Sequence, residues 1–435
     1  MPLFEHTMIL ITRFIRNYQR DKHYQVMRIS VFFLLWALAF ALFEFFVPLY
    51  LESLELSFFT IGLILSGSSF ISFFIDPFLG HIQTRFPPKT LLLISIILFC
   101  ANILLFKNSG NAVFLLFLAT NIYGIAFDLF SITSYKNVFD NSIETDRSTH
   151  ISLLESLYSV GLLVGAVVAG FIVSLNLSSI PYLCLGILLF LFIFILSWKA
   201  EKKVLSKEKI SFTKSYTDIF YEFKMIGSQG LFLVFLLIFI HLFDGFFFVF
   251  EPIFARKFQG YFFDEFVIGG LLLAIYTLPM IMLERNFGTW EDRLGRKKFV
   301  FIGLAMSTLS IFLLQSFDQL VISALLIFMT SLGLFAIALP AVEGMYESLT
   351  ERKLGKQYRG YTVSIMEITL SIGFLLGPFM GGIFLTMPGG FNAAFKIFSL
   401  LNLFVLVLAL FFLREDISKD KERGNIIPKS TRDLL

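Results

Sequence analysis

The sequence predicts an all-α membrane protein with about twelve transmembrane helices, arranged as two pseudo-symmetric six-helix bundles. Three observations lead to this prediction. Long apolar runs alternate with short polar loops along the whole chain. Lysine and arginine are concentrated in every second loop, and a motif in the first half of the chain recurs in the second half.

The apolar runs are long enough to cross a bilayer. Of the 435 residues, 57% are hydrophobic and 15% are charged, whereas a soluble domain has about 25% charged residues. A hydrocarbon core about 30 Å thick requires about 20 apolar residues in a helix. Helices also satisfy the backbone within the chain, and the runs lack the alternation typical of barrel strands. We predict spans over 29–50, 57–80, 91–106, 112–135, 151–175, 180–198, 231–254, 266–283, 299–317, 319–342, 361–387 and 397–413.

The basic residues predict the orientation of these helices. Of the 35 lysines and arginines, only Lys107, Arg256, Lys257 and Lys396 fall in odd-numbered loops. The others lie in the even-numbered loops and the two terminal segments. Because Lys and Arg accumulate on the cytoplasmic side, we expect both termini to be cytoplasmic, in a plasma or inner membrane.

The longest polar interruption divides the chain into two halves of six spans. It predicts an N-terminal bundle over 1–198, a cytoplasmic linker over 199–228, a C-terminal bundle over 229–414 and a cytoplasmic tail over 415–435.

An internal repeat relates the fifth span to the eleventh. Seven residues recur at a constant offset of 212 positions, which indicates a duplication and two similar bundles. Glycines at four-residue spacing allow a second helix to approach closely, so we assign Gly161, Gly165, Gly373 and Gly377, with Pro378, to helix packing. The seven pairs are Arg147/Arg359, Ser152/Ser364, Glu155/Glu367, Ser159/Ser371, Gly161/Gly373, Gly165/Gly377 and Gly170/Gly382.

The loops that follow spans 2 and 8 also correspond. The second runs from Gly288 through Asp292 and Arg293 to Gly295, Arg296 and Lys297. The first contains Gly80, Arg85 and Lys89, but has Thr84 in place of Asp, and Pro87 and Pro88 in place of Gly and Arg.

With this loop, the repeat and the topology, the chain resembles the major facilitator superfamily over nearly its whole length. The family loop signature (Gly, three residues, Asp-Arg, one residue, Gly-Arg-Lys) is matched in full by the second loop and in part by the first. The resemblance implies a secondary transporter whose two bundles rock about a central site near the membrane midplane. It also implies that both loops act as conformational latches, with Asp128 in span 4 as the partner of Arg85.

Carboxyl groups at membrane depth are the candidate site residues, because such groups are costly there and are usually functional. Glu44 lies in span 1 and Asp244 in span 7, each among phenylalanines. In the family, these two spans line the central cavity. Desolvation favours the neutral carboxyl, so we predict a substrate and proton cavity at Glu44 and Asp244. His241 lies on the same helical face as Asp244 and is included.

Other charged residues are candidates for a gate. Glu155 and Glu367 follow Arg147 and Arg359 by eight residues, which places each pair on nearly the same helix face. We predict gate ion pairs there. Asp76 and Glu251, each before a proline near a helix end, are expected at the membrane interface.

The sequence excludes several other functions and leaves the substrate open. There is no nucleotide-binding loop, no clustered Cys or His for a metal, and no basic patch for nucleic acid. We expect no metal and no cofactor. The partners would be a small solute, protons and lipid, and the chain would be a monomer.

Proton-coupled efflux of amphipathic compounds is the favoured function, because the candidate cavity residues are acidic and aromatic. A nutrient or metabolite symporter of the same fold is the alternative. The glycine-proline element that antiporters of the family carry in span 5 lies here in span 11, which weakens the efflux interpretation without favouring import. A membrane enzyme or receptor-like scaffold is the alternative of another class.

Overall fold

The structure is a computed structural model that describes residues 22–142, 147–198, 212–355 and 359–414. Within these ranges the regular structure is helical and no β-strand occurs. The helices are α1 Lys22–Ser53, α2 Phe58–Arg85, α3 Pro88–Ser109, α4 Val113–Asn141, α5 Arg147–Asn176, α6 Ile180–Ser197, α7 Phe212–Phe254, α8 Glu265–Leu294, α9 Arg296–Leu314, α10 Leu320–Leu354, α11 Arg359–Leu385 and α12 Phe391–Phe412.

The twelve described helices each run once from one end of the molecule to the other, which confirms the predicted fold class. Eleven helical segments are long and apolar enough to span a membrane. One of them, His150–Ser197, contains both α5 and α6, which are separated by a 3₁₀ turn at Leu177–Ser179. An even number of crossings places Lys22 and Phe412 at the same end of the molecule. We call this the terminal end and the opposite one the far end.

Several helices extend beyond the predicted apolar runs at the terminal end. Helix α4 ends at Asn141 rather than 135, and α10 ends at Leu354 rather than 342. Polar side chains reach the interface while their helix continues, so hydropathy underestimates helix length. The predicted linker is likewise helical from Phe212, and the helix is broken at Gly227 by a φ of 70°.

Within each bundle, the duplicated helix packs along the first helix of that bundle. Helix α5 lies against α1, and α11 lies against α7. A Cβ atom added at Gly161 would lie 2.6 Å from the Leu34 carbonyl oxygen, and one at Gly377 would lie 2.7 Å from the Phe246 backbone nitrogen. These helices approach closely because no side chain separates their backbones.

Between the bundles, α2 packs against α11 and α5 packs against α8. A Cβ at Gly382 would lie 2.5 Å from the Phe58 carbonyl oxygen, and Gly170 is equally close to the backbone of α8. These approaches lie in the far-end half, where Arg256 also pairs with Glu52 at 2.9 Å. The far end is therefore closed between the bundles.

Candidate functional site

A small cavity lies between the two bundles, and the Glu44 side chain forms part of its wall. Its volume is about 30 Å³, which is enough for water but far below the roughly 300–1,000 Å³ of a site for a drug-sized ligand. This cavity is therefore too small for such a ligand in this conformation. The lining residues are Phe43, Glu44, Val47, Leu65, Ser68, Thr120, Tyr123, Val249, Phe374 and Pro378.

Tyr123 of α4 is the polar neighbour of Glu44. The two side chains are close enough to interact electrostatically, but the Tyr123 hydroxyl does not reach hydrogen-bond geometry with any described group. The hydroxyl is buried, and α1 and α4 hold it in place through aromatic contacts with Phe40 and Phe43. Glu44 thus faces the cavity with one available donor beside it.

Asp244 has a tyrosine partner of its own, and here the contact is a hydrogen bond. The Tyr276 hydroxyl of α8 donates to Asp244 Oδ1 at 2.9 Å. The Tyr276 ring packs on Phe247 with centroids 4.6 Å apart, and its carbonyl accepts from Ser331 Oγ of α10. Asp244 is therefore anchored to its own bundle.

Tyr158 of α5 lies near both carboxyls, one from each bundle. It lies close enough to interact electrostatically with both Glu44 and Asp244. Its ring stacks on Phe33 of α1, with centroids 4.6 Å apart. The structure thus brings both carboxyls of the sequence prediction within electrostatic range of one tyrosine.

His241 lies one turn before Asp244 but has different surroundings. Its ring is 7% exposed, and Nδ1 has no hydrogen-bond partner among the described residues. Its Cβ packs against Gly373 of α11. The described hydrogen bond of Asp244 goes to Tyr276 rather than to His241.

A second group of carboxyls lies between α2, α4 and α11. Ser371 Oγ donates to Asp76 Oδ2 at 2.8 Å across the bundle interface, and Ser72 Oγ donates to Asp128. Asp76, Asp128 and Glu367 are close enough to interact electrostatically. The other oxygen of Asp76 is buried without a partner.

The described neighbours of the predicted gate glutamates are other carboxyls and a tyrosine, and their predicted ion pairs stay a prediction. Glu367 lies with Asp76 and Asp128, whereas its repeat mate Glu155 lies beside Tyr135. The side chains of Arg147 and Arg359, their predicted partners, fall outside the described residues.

The predicted latch loops form two tight helix junctions. Gly295 joins α8 to α9 with a φ of 96°, which a residue with a side chain rarely adopts. Arg296 donates to the Gly344 carbonyl and to Ser348 Oγ, the latter at 2.8 Å. Lys297 lies over the Phe301 ring.

In the first loop, Arg85 ends α2 and Phe86 and Pro87 are extended. Lys89 Nζ donates to the carbonyls of Leu196 and Trp198, at 2.7 and 2.8 Å. The side-chain placement of Gly80, Gly288, Asp292 and Arg293 lies outside the described set.

Sequence reasoning did not identify the three tyrosines, although each is a hydroxyl in an apolar run. Periodicity cannot show which hydroxyls face a carboxyl on another helix. Glu251, expected near the interface, proves to be only 1% exposed. Within the described ranges, no three potential ligands are arranged to hold a metal ion.

Comparison with known proteins gives a family match over most of the chain. The profile of the family described as Major Facilitator Superfamily matches residues 29–263 and 265–431. Among curated relatives, Multidrug resistance protein 1 of Bacillus subtilis (strain 168) is 29% identical over 153 residues, 34% of this chain and 36% of that protein. Quinolone resistance protein NorA of Staphylococcus aureus is 28% identical over 145 residues, 32% of this chain and 35% of that protein. The chain thus spans about a third of the length of these relatives.

Solved structures share the fold at low sequence identity. The crystal structure of nucleoside transporter NupG superposes with a TM-score of 0.73 at 13% identity, covering 90% of this chain and 100% of that one. The human organic anion transporter MFSD10 (TETRAN) gives a TM-score of 0.64 at 18% identity, covering 89% and 99%. At these identities the likeness concerns the fold alone.

Proposed function

Because the chain belongs to the Major Facilitator Superfamily, we propose that it exports small amphipathic compounds by alternating access, in exchange for protons. The family match confirms the resemblance inferred from the latch loop and the repeat. It places the chain among transporters rather than enzymes, so the membrane enzyme is set aside.

The observation that supports proton coupling is that Glu44 and Asp244, one from each bundle, both lie within electrostatic range of Tyr158. The carboxyls come from different bundles, so their surroundings must change when the bundles rock. Closure removes water and favours the neutral carboxyl, and opening admits water and favours the charged form. A proton drives a transport cycle only if its affinity differs between the two states, and the proposal assigns this difference to these two groups.

The amphipathic substrate class is supported by the cavity lining and by the relatives. Phe43, Phe374 and Tyr123 offer apolar and aromatic surface, and Glu44 supplies a negative charge when ionised. A compound with an aromatic body and a cationic group complements such a lining. The curated relatives are named for resistance to multiple drugs and to quinolones. A symporter for a nutrient or metabolite is the second candidate.

The function is tested in proteoliposomes with an imposed pH gradient and a fluorescent cationic dye. We expect dye to accumulate in vesicles that are acidic inside, because an exchanger couples outward proton flow to inward dye flow. Accumulation under the opposite gradient would indicate a symporter. No gradient-driven movement, with dye or with a panel of nutrients, would contradict the proposal.

Two variants test the named carboxyls, with one matched control. Glu44→Gln and Asp244→Asn should each abolish gradient-driven accumulation, while exchange of dye at equal pH partly survives, because the amides preserve shape but cannot titrate. Asp140→Asn removes an exposed carboxyl at the terminal end of α4 and should leave both activities unchanged. Full accumulation in both cavity variants would show that these carboxyls are structural.

The terminal end is proposed to face the cytoplasm in a plasma or inner membrane, and the chain is proposed to act as a monomer. The proposed orientation rests on the distribution of Lys and Arg among the loops. An impermeant thiol reagent should label Lys107→Cys on intact cells, and Lys136→Cys only after permeabilisation. The reverse labelling pattern would overturn the orientation.

A further inference from the structure

Glu251 of α7 is a buried carboxyl that the proposed cycle does not yet use. Its side chain is 1% exposed, and neither carboxyl oxygen has a hydrogen-bond partner among the described residues. An unpaired buried carboxylate costs several kcal/mol in desolvation. Glu251 therefore holds a proton in this conformation.

The position of Glu251 relates it to the central site. It follows Asp244 by seven residues, which places it on nearly the same face of α7 and about 10 Å nearer the far end. One turn after Glu251, Ala255 lies close to Gly269 of α8, and Phe45 of α1 lies close to the same glycine. A Cβ added at Gly269 would lie 3.2 Å from each of these two side chains. This face of α7 therefore lies near α8 of its own bundle and near α1 of the other bundle.

No ionisable group on a neighbouring helix neutralises Glu251. Helices α1, α2, α8, α10, α11 and α12 all pack against α7. None of their described side chains forms a hydrogen bond or an ion pair with Glu251. Burial away from water is the only influence on this carboxyl. Along the chain, the nearest cation is Arg256, which pairs with Glu52 of α1, and on α8 the Tyr276 hydroxyl is bound to Asp244.

The closed far end lies directly beyond Glu251. Arg256, five residues further along the chain, pairs with Glu52 of α1 at 2.9 Å, and both side chains are partly exposed. This pair joins the two bundles, so it must separate when the far end opens. The buried carboxyl of α7 just inside this pair is Glu251.

We propose that Glu251 is a second proton-binding site on α7, which takes up a proton from the far side and supplies Asp244. When the far end opens, water enters, and the proton held by Glu251 passes through this water to the Asp244 carboxylate. The charged Glu251, now in contact with water, then takes up another proton from the far side, so it is neutral again when the end closes. This inference rests on the proposed function, because it assumes that protons drive transport.

Three variants test the proposal in the full-length chain. Glu251→Gln keeps the shape of the side chain but cannot titrate, and Glu251→Met replaces it with an apolar chain of similar length. Asp264→Asn is the matched control, because it removes an exposed far-end carboxyl while Asn retains the N-cap of α8. Each is assayed for dye accumulation under a pH gradient, dye exchange at equal pH, and melting temperature in detergent.

We expect both Glu251 variants to lose gradient-driven accumulation and to retain dye exchange. Glu251→Met should melt at or above the wild-type temperature, because replacing an unpaired buried polar group with an apolar one is neutral or stabilising. Asp264→Asn should match the wild type in all three assays.

Two results would overturn the inference and leave the proposed function intact. One is wild-type accumulation in Glu251→Gln. The other is a marked fall in the melting temperature of Glu251→Met with parallel loss of exchange, which would make Glu251 structural. If dye accumulation by the wild-type protein did not respond to the pH gradient, the proposed function itself would be contradicted.

Discussion

The two bundles share a seven-residue repeat, yet their equivalent carboxyls have different neighbours. Glu155 of the first bundle lies beside Tyr135, within the same bundle. Glu367, at the same position of the second bundle, lies against Asp76 and Asp128 of the first. The two glutamates therefore occupy equivalent positions on their helices, but the facing helices give each of them different neighbours.

The cavity carboxyls show the same contrast. Asp244 accepts a hydrogen bond from Tyr276, whereas Glu44 has only a tyrosine hydroxyl outside hydrogen-bond geometry. Glu44 also lines the cavity, which contains no part of Asp244. The Glu44 carboxyl therefore borders the cavity, whereas the Asp244 carboxyl is hydrogen-bonded to a helix of its own bundle.

The largest expected effect concerns the packing glycines. Gly377→Ala should lower the free energy of unfolding by about 3 kcal/mol, the upper range for overpacking, because its Cβ would collide with the Leu242 carbonyl of α7. Its repeat mate Gly165→Ala should cost less, since the nearest atom is the Ala41 side chain. Unfolding of the purified variants in detergent measures both.

Gly186→Ala on α6 is the matched control for these glycines. Nothing lies within 4 Å of its added Cβ, so the better helix propensity of alanine should stabilise the protein by about 0.8 kcal/mol. Equal losses at Gly377 and Gly186 would show that helix contact does not decide the cost.

The two latch loops predict the next effect. Gly295→Ala should destabilise the protein by about 2 kcal/mol, because alanine is strained at a φ of 96°. The corresponding residue of the first loop is Pro87, whose extended backbone other residues adopt freely. Pro87→Ala should therefore cost much less, and a melting comparison of the two variants tests this.

The repeat-related glutamates predict a smaller effect of opposite sign. Glu367→Gln should stabilise the folded protein by about 1 kcal/mol at neutral pH, because it removes a buried ionisable group that lies close to Asp76 and Asp128. Glu155→Gln lacks such neighbours and should change the melting temperature little. A loss of stability in Glu367→Gln would mean that its carboxyl is satisfied by a partner.

The two tyrosines predict the smallest effect. Tyr276→Phe should cost roughly 0.5–1 kcal/mol, the value of one hydrogen bond, because it leaves Asp244 without its donor. Tyr123→Phe removes a buried hydroxyl whose approach to Glu44 is longer or less well aligned than a regular hydrogen bond, so it should cost less than Tyr276→Phe. Thermal melts of the two variants, purified side by side, would reveal any reversal of this order.

The sequence by itself determined the number of crossings, the duplication and the family. These follow from local properties: apolar length, the alternation of Lys and Arg among loops, and residues spaced at a constant offset. Glu44 and Asp244 were also found from sequence, because a carboxyl within an apolar run is conspicuous wherever the helix packs. Helix ends were less accurate, since hydropathy reports contact with lipid and not the hydrogen bonds that continue a helix into the interface.

Only the tertiary structure decided which side chains meet. The approach of Glu367 to Asp76 joins residues 291 positions apart in the chain, and nothing in either helix specifies that distance. The facing helices likewise decide that Tyr158 lies near both cavity carboxyls and that Glu251 has no described partner. The physical reason is that charge, hydropathy and periodicity act along one helix, whereas burial, repulsion and hydrogen bonding depend on how twelve helices are placed against one another.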